Sequence, residues 1–507
     1  MPTIVLSNFN IFCAVMGGFV TLYGLVSHFA KERLYMSEPL IAVCAGVLFM
    51  HGTKWLRPEE YTLLDPMNLE VTTLAFTRLA LGVQLVLAGV QIPGKYLKTE
   101  WKSLAMLLGP GMTGMWVASS LLMWALIPNL TYLHALAVAA CITPTDPVLS
   151  NSIVKGKFAD QNIPVDMQNL IIAESGANDG LGYPFLFFAL YIIKYVGHHG
   201  DGQPQTGGGH AMAYWFGETW GYVIIMTRKW IDHENSVVYP VVLALFIIGT
   251  CGIIGTDDLL ACFVAGNVLN WNDEYRLETE QDSFQPTLDM LINLAIFMWF
   301  GAVCPWSGFV HNHGRIPFYR LVVLGLLILV FRRLPAVWLM ARKIRQCHNL
   351  THTLFMGYFG PIGVGAAFYL HVAMEFLHLV QVDGHVREDA EDLREVLHLV
   401  VWFVIMCSIV IHGFSVPVGK LAFYFSRKVE LLADNHPKLK GKDYYGRGEE
   451  RRKSLKRNMS VSGPQSGLPL PPKSVRVHAT LPDAALESGE SEFSLLPNHA
   501  GTRARGT

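Results

Sequence analysis

The sequence predicts an all-α polytopic membrane protein of about thirteen transmembrane helices, arranged as inverted repeats, with two crossed helices broken near their middles. Three observations carry this. Hydrophobic residues make up 51% of the chain and charged ones only 16%, against the usual quarter in soluble proteins. Apolar stretches of near-membrane length follow one another from roughly residue 9 to residue 425. Two of these stretches are interrupted in matching places of the two halves: Thr143-Pro144-Thr145-Asp146-Pro147 in one and Gly360-Pro361-Ile362-Gly363-Val364-Gly365 in the other. Paired interruptions of this kind mark an inverted-repeat carrier with its site where the broken helices cross.

In chain order the spans fall at about 9–29, 38–55, 71–92, 103–127, 132–154, 168–196, 211–230, 236–255, 257–271, 284–304, 318–341, 350–381 and 396–425, with ends good to a few residues. The first has no basic flank ahead of it and no small-residue cleavage pattern, so it reads as a retained helix and not a signal peptide. The short spans near 45 and 264 fit re-entrant or strongly packed helices. The fifth span must break where Pro147 removes a backbone donor and drives Asp146 out of helical geometry. Within a membrane such a break is tolerated only where the freed backbone faces protein or a cavity.

Lysines and arginines such as Lys31, Lys95, Lys157, Lys229 and Arg345 fall in one set of loops, and a smaller group including Arg57, Lys194 and Arg387 in the other. The richer set belongs inside, which puts the C-terminal tail in the cytoplasm. The chain therefore divides into a membrane domain, residues 1–430, and a largely disordered regulatory tail, residues 431–507. The tail carries a basic belt from Lys438 to Arg457, suited to anionic lipid. Ser454 and Ser460 follow basic residues as phosphorylation sites would, and phosphate there would release the belt from the membrane.

The eight cysteines are scattered without paired spacing, which argues against a disulfide framework or a zinc site. The segment from His198 to His210 reads as a flexible loop and not a metal site. A net charge of −1 and no basic-aromatic stripe give no footprint for nucleic acid.

Ionisable groups at membrane depth are expensive and mark ion or proton paths. Asp179 lies in the middle of the sixth span, in Glu174-Ser175-Gly176-Ala177-Asn178-Asp179-Gly180. A carboxylate there can hold a proton or a cation but hardly both, and such competition with alternating access suffices for exchange. Ser175, one turn earlier, shares its face. Asn178 cannot titrate and serves as an oxygen ligand or a helix tether. Thr143, Thr145 and Asp146 at the first break add hydroxyl, carbonyl and carboxylate oxygens for a small hard cation. Glu174 needs a buried counter-charge, and Arg332 or Arg333 of the eleventh span is the partner, the other snorkelling to an interface. Asp257 and Asp258, at the mouth of the ninth span, would gather cations or merely cap a helix. His371 and His378 share a helical face with Glu375 between them, as a proton relay would. Arg78 and Glu218 are buried charges without an evident role.

These motifs together resemble the cation/proton antiporter superfamily, and more narrowly the fungal plasma-membrane Na+/H+ antiporters. The resemblance rests on Cys-Ile-Thr-Pro-Thr-Asp-Pro-Val-Leu-Ser from Cys141, Glu-Ser-Gly-Ala-Asn-Asp-Gly from Glu174, and Gly-Thr-Asp-Asp-Leu-Leu-Ala from Gly255. It covers the membrane region and not the tail. It implies a homodimer, with a dimerisation domain and a core of two crossed broken helices moving as a body. It implies Asp179 as the ion-binding acid, Asp146 and Thr145 at the crossing, Glu174 paired with an arginine, and the pair Asp257 and Asp258 linked to transport. The expected cargo is Na+ and Li+, with K+ a further candidate, exchanged for H+ across the plasma membrane for salt and pH homeostasis. Membrane lipid and a second copy are the expected partners, and no cofactor or resident metal is expected. Three departures stand out. Animal relatives carry an arginine in the segment matching 360–365, where this chain has none, so no account of charge balance is borrowed from them. Asn-Asp in place of Asp-Asp points to electroneutral exchange by analogy with bacterial relatives. The tail is shorter than in many fungal relatives, so regulatory segments are expected to be absent.

Two other classes compete. An intramembrane aspartyl protease could use a carboxylate dyad, but it needs neither the Asp146-Pro147 break nor the Asn before Asp179. A sodium-coupled organic-solute symporter would need a wider polar crossing than these ion-sized groups provide. A channel lacks a repeated filter-like segment.

Overall fold

The computed structural model describes residues 8–32, 36–61, 66–154, 163–196, 211–212, 215, 238–279, 284–311, 315–382 and 384–434. The predicted seventh span with Glu218, the His-rich segment and the tail beyond Asp434, with Ser454 and Ser460, lie outside them, apart from Ala211, Met212 and Trp215.

Helix α1 is Asn8–Glu32 and α2 is Glu38–Val47, which runs on into a wider π turn at Leu48–Gly52. Helix α3 is Pro66–Gln91. The fourth span is α4, Trp101–Met106, and α5, Met112–Leu126, joined by a π turn at Leu107–Gly111 that takes up Pro110. A proline inside a helix cannot donate its hydrogen bond, and the extra residue in the turn accommodates the loss. Short helical turns at Pro58–Tyr61, Tyr96–Thr99 and Glu274–Glu278 lie in the connections.

The fifth span breaks as expected, into α6, Tyr132–Cys141, and α7, Pro147–Val154. The sixth, predicted as one helix, is divided too: α8, Val165–Gly180, ends one residue past Asp179, and α9, Gly182–Val196, follows the single turn residue Leu181. Helix α10, Tyr239–Ile254, stops at Gly255 in the left-handed region (φ +76), and α11, Asp258–Leu269, begins three residues later. Helix α12 is Phe284–Val303. The eleventh span, also predicted continuous, unwinds at Arg332 and Arg333 between α13, Phe318–Phe331, and α14, Leu334–Met340. Pro335 in the first turn of α14 explains the interruption, since it cannot donate back into α13. The twelfth span breaks into α15, Leu350–Tyr358, and α16, Val364–His378. A small hairpin of β1, Gln381–Val382, and β2, His385–Val386, turns the chain into α17, Glu388–Asp434. That helix begins before and ends after the predicted 396–425, because its ends are polar and only its middle satisfies a hydropathy criterion.

Two close helix crossings reveal the repeat. A Cβ on Gly46 of α2 would lie 3.0 Å from Gly301 Cα of α12, and one on Gly266 of α11 would lie 3.1 Å from Gly89 Cα of α3. Such contacts need glycine on both sides, because only then can two backbones approach to van der Waals distance. The first joins the second and tenth spans and the second joins the third and ninth. A two-fold exchanging the second with the ninth and the third with the tenth maps one crossing onto the other. The short spans near 45 and 264 are thus the closely packed members of two equivalent pairs. Large apolar side chains on α1, α10 and α13, among them Leu25, Phe246, Ile253 and Tyr319, remain outward-facing, as hydrocarbon or a second copy requires.

Candidate ion site at the crossing of the broken helices

The two breaks meet backbone to backbone: the Asp146 N–H donates to Pro361 O at 2.9 Å. Each break creates one helix end with bare carbonyls and one beginning with bare N–H groups, and two side chains satisfy both pairs. Asp146 takes the N-termini. Its Oδ2 accepts from Leu149 N of α7 at 2.8 Å, and its Oδ1 accepts from Val364 N at 2.7 Å and Gly365 N at 3.3 Å of α16. Arg332 takes the C-termini. Nη1 donates to Ile142 O, to Thr143 O at 3.1 Å and to Pro144 O at 3.3 Å, all at the end of α6, while Nη2 donates to Gly360 O beyond α15. A carboxylate at helix N-termini and a guanidinium at C-termini each match the helix dipoles they face. Arg332 is only 2% exposed, so the expectation that one arginine snorkels is wrong. Both are buried because the unwound turn lets neighbouring residues face the same interior.

Arg333 settles the other pairing. Its Nη1 and Nη2 each donate to one oxygen of Glu174 at 2.6 Å, a two-pronged buried pair, and Nε donates to Met356 O at 2.9 Å.

The hydroxyls and amide between the fifth and sixth spans bind one another. Thr145 N donates to Asn178 Oδ1 at 3.2 Å and Asn178 Nδ2 donates to Thr145 Oγ1 at 2.8 Å. Ser175 lies between Thr145 Oγ1 at 3.3 Å and Ser150 Oγ at 3.1 Å, and donates to Ile171 O at 2.8 Å. Thr143 Oγ1 turns back to Ala139 O at 2.7 Å.

Asp179 is the exception. It is fully buried, and among the described residues neither carboxylate oxygen has a hydrogen-bond partner. Only its backbone is held, its carbonyl accepting from the Tyr369 hydroxyl. It faces Gly365, where any Cβ would run into the carboxylate, and a Cβ on Gly363 would lie 2.8 Å from Asp146 Cγ. The second glycine segment is therefore glycine because two acids pack against it.

The remaining predicted residues divide. Asp257 caps α11, accepting from Leu260 N at 2.9 Å, and Asp258 is buried against Arg78 of α3. That is the partner sequence reading left unassigned for Arg78. His371 Nδ1 donates to Ala367 O at 2.7 Å, and the ring packs edge-on against Trp402, 6.2 Å between ring centres. His378 is two turns away, about 10 Å along the helix, and among the described residues no hydrogen bond links the two. Sequence reading missed Ser408 and His412 of α17. Ser408 Oγ accepts from Ile362 N at 2.7 Å, and His412 bonds Ser408 and, at 3.3 Å, Tyr358 O, bracing the second break from outside. A Ser and a His one turn apart in an otherwise apolar span were the available signal.

Two crossed broken helices, with their four ends neutralised and one bare carboxylate beside them, form the centre of this all-α membrane fold. Residues 18–418 match the sodium/hydrogen exchanger transmembrane family. The chain is 31% identical over 444 residues to a Na(+)/H(+) antiporter of Schizosaccharomyces pombe, covering 82% of this chain and 92% of that protein. It is 34% identical over 438 residues to the Na(+)/H(+) antiporter of Saccharomyces cerevisiae, and 32% over 452 residues to Na(+)/H(+) antiporter 2 of Zygosaccharomyces rouxii, covering 81% and 82% of this chain. The chain spans about half the length of these last two, 43% and 53%. In fold it is similar to the sodium proton antiporter MjNhaP1 of Methanocaldococcus jannaschii, with a TM-score of 0.54 at 18% identity over 78% of this chain and 97% of that one. The chain belongs to the sodium/hydrogen exchanger family.

Proposed function

We propose that the chain is a secondary antiporter that exchanges Na+ for H+ by alternating access. The observation that carries this is the charge count at the crossing. Asp146 and Arg332 serve the four helix ends, and Glu174 is cancelled by Arg333. Among the described residues Asp179 is left as a buried acid without a hydrogen-bonded or ion-pair partner. A buried charge must be paired or neutralised, so Asp179 holds either one proton or one monovalent cation. That either-or is the coupling of an exchanger, and one charge replacing another makes the exchange electroneutral. Asp179 is the ion-binding acid. The Asn178, Thr145 and Ser175 network holds the two half-sites together, and Thr143 contributes its carbonyl to Arg332. Li+ is carried in the same site, and K+ is a further candidate cargo. The protein acts as a homodimer in the plasma membrane with its tail in the cytoplasm, in keeping with the fungal antiporters it resembles.

The test is an imposed pH gradient across vesicles containing the purified protein. Addition of Na+ or Li+ is expected to dissipate it, equally well with the membrane potential clamped at zero or at a negative value. No dissipation by any alkali cation would end the antiporter reading, and rates that follow the potential would end the electroneutral one.

A further inference from the structure

Outside the crossing, the structure holds one more buried acid with an unused oxygen. Asp258 is 1% exposed; its Oδ2 is held by Arg78 Nε, while Oδ1 has no partner among the described residues. Its neighbour Asp257 is used up in capping α11. Arg78 comes from near the middle of α3, yet its side chain is 34% exposed. An arginine at that depth is costly against hydrocarbon, and its guanidinium is only partly covered by protein. Gly252 of α10 lies against the guanidinium, where a Cβ would come within 2.6 Å of Nη2, and Nη2 is otherwise tied only by a long 3.3 Å bond to Ile248 O. The same turn borders the ion site. A Cβ on Gly180, the residue after Asp179, would meet Leu260 N at 2.7 Å.

Building on the antiporter reading, we propose that Arg78 is a tethered surrogate cation: it occupies Asp258 on the approach to Asp179, and an arriving Na+ or Li+ must displace it. A guanidinium stays charged at any working pH, so proton release cannot open this pair and only displacement can. The free Oδ1 gives an incoming cation its first foothold, and the partly uncovered side of Arg78 leaves the guanidinium room to swing away. Arg78 is thus a positioning residue that sets apparent cation affinity without touching the ion at Asp179.

The experiment measures exchange rate against Na+ concentration in vesicles for the wild type, Arg78→Gln, Arg78→Lys, Asp258→Asn and the Arg78→Gln/Asp258→Asn double variant. Thermal unfolding of each purified protein is followed across a Na+ titration. Removing a competitor worth one charged hydrogen bond should lower KM for Na+ roughly ten- to a hundredfold in Arg78→Gln, without raising kcat. The Na+ concentration for half-maximal thermal stabilisation should fall in step. Arg78→Lys restores a cation and should return KM toward the wild-type value. The double variant, in which no acid is left unpaired, should fold like the wild type and lose the gain in affinity. A purely structural pair would give lower stability in Arg78→Gln, recovered in the double variant, with KM unchanged or raised throughout; that result overturns the proposal while leaving the antiporter intact. A wild type that exchanges nothing removes the antiporter reading and this proposal with it.

Discussion

Asp146 and Asp179 both reach Gly365, yet one is saturated with backbone N–H groups and the other, among the described residues, has no donor. The difference lies in the backbone around each. Asp146 precedes Pro147, at the start of a helix, where free N–H groups converge; Asp179 sits in the last turn of α8, where the N–H groups are already spent. Gly365→Ala should therefore be a transport lesion more than a folding one. Its methyl group would displace the Asp179 carboxylate, and exchange should drop at least tenfold, with a stability loss of about 1–3 kcal/mol from overpacking. Vesicle exchange and scanning calorimetry on the same preparation separate the two. Glu174→Gln should do the reverse. Leaving Arg333 buried without its carboxylate costs about 3–5 kcal/mol, so thermal stability falls sharply while the KM of the surviving protein stays near the wild-type value. At this scale much was legible. Asp179 and Glu174 stand out because charge is rare in apolar runs. The choice between Arg332 and Arg333 was not legible, because adjacent residues on an intact helix diverge by about 100°, and only the unwound turn lets both point inward.

Among the helices, the working feature is the division of labour between Asp146 and Arg332. The breaks could be placed from Pro147 and from the glycine segment, since proline and glycine disrupt helices for local reasons. The interruption at Leu181 has the same kind of cause, Pro184 in the first turn of α9 with Gly180 and Gly182 before it, but in so apolar a run the sequence reading carried the helix through it. The bracing of Ile362 by Ser408 could not be placed, since a hydroxyl in an apolar span usually bonds within its own helix. The chain also answers its own missing arginine: with none in residues 360–365, the guanidinium at the crossing comes from the eleventh span. Arg332→Gln should strip partners from carbonyls on two helix ends, at about 1–3 kcal/mol for each one left dry. Stability and exchange should fail together. Arg332→Lys keeps the charge but not the planar fork, and should recover part of both, read as unfolding temperature and vesicle rate.

On the scale of the whole molecule, one buried acid shared by two cations predicts how exchange responds to pH. As protons occupy Asp179, Na+ must compete for it, so the apparent KM for Na+ should climb as the pH is lowered. The limit is about tenfold per pH unit once the site is mostly protonated, with the rate at saturating Na+ little changed. KM values that ignore pH would mean that proton and cation use different groups. The central claim is most directly tested by comparing wild type with Asp179→Asn in vesicles under an imposed pH gradient, adding Na+ or Li+. Asparagine keeps the volume and removes the charge, so the variant should fold and remain silent with either cation while the wild type dissipates the gradient. Equal dissipation by a well-folded Asp179→Asn variant would contradict the account, because the exchange would then run through some other group.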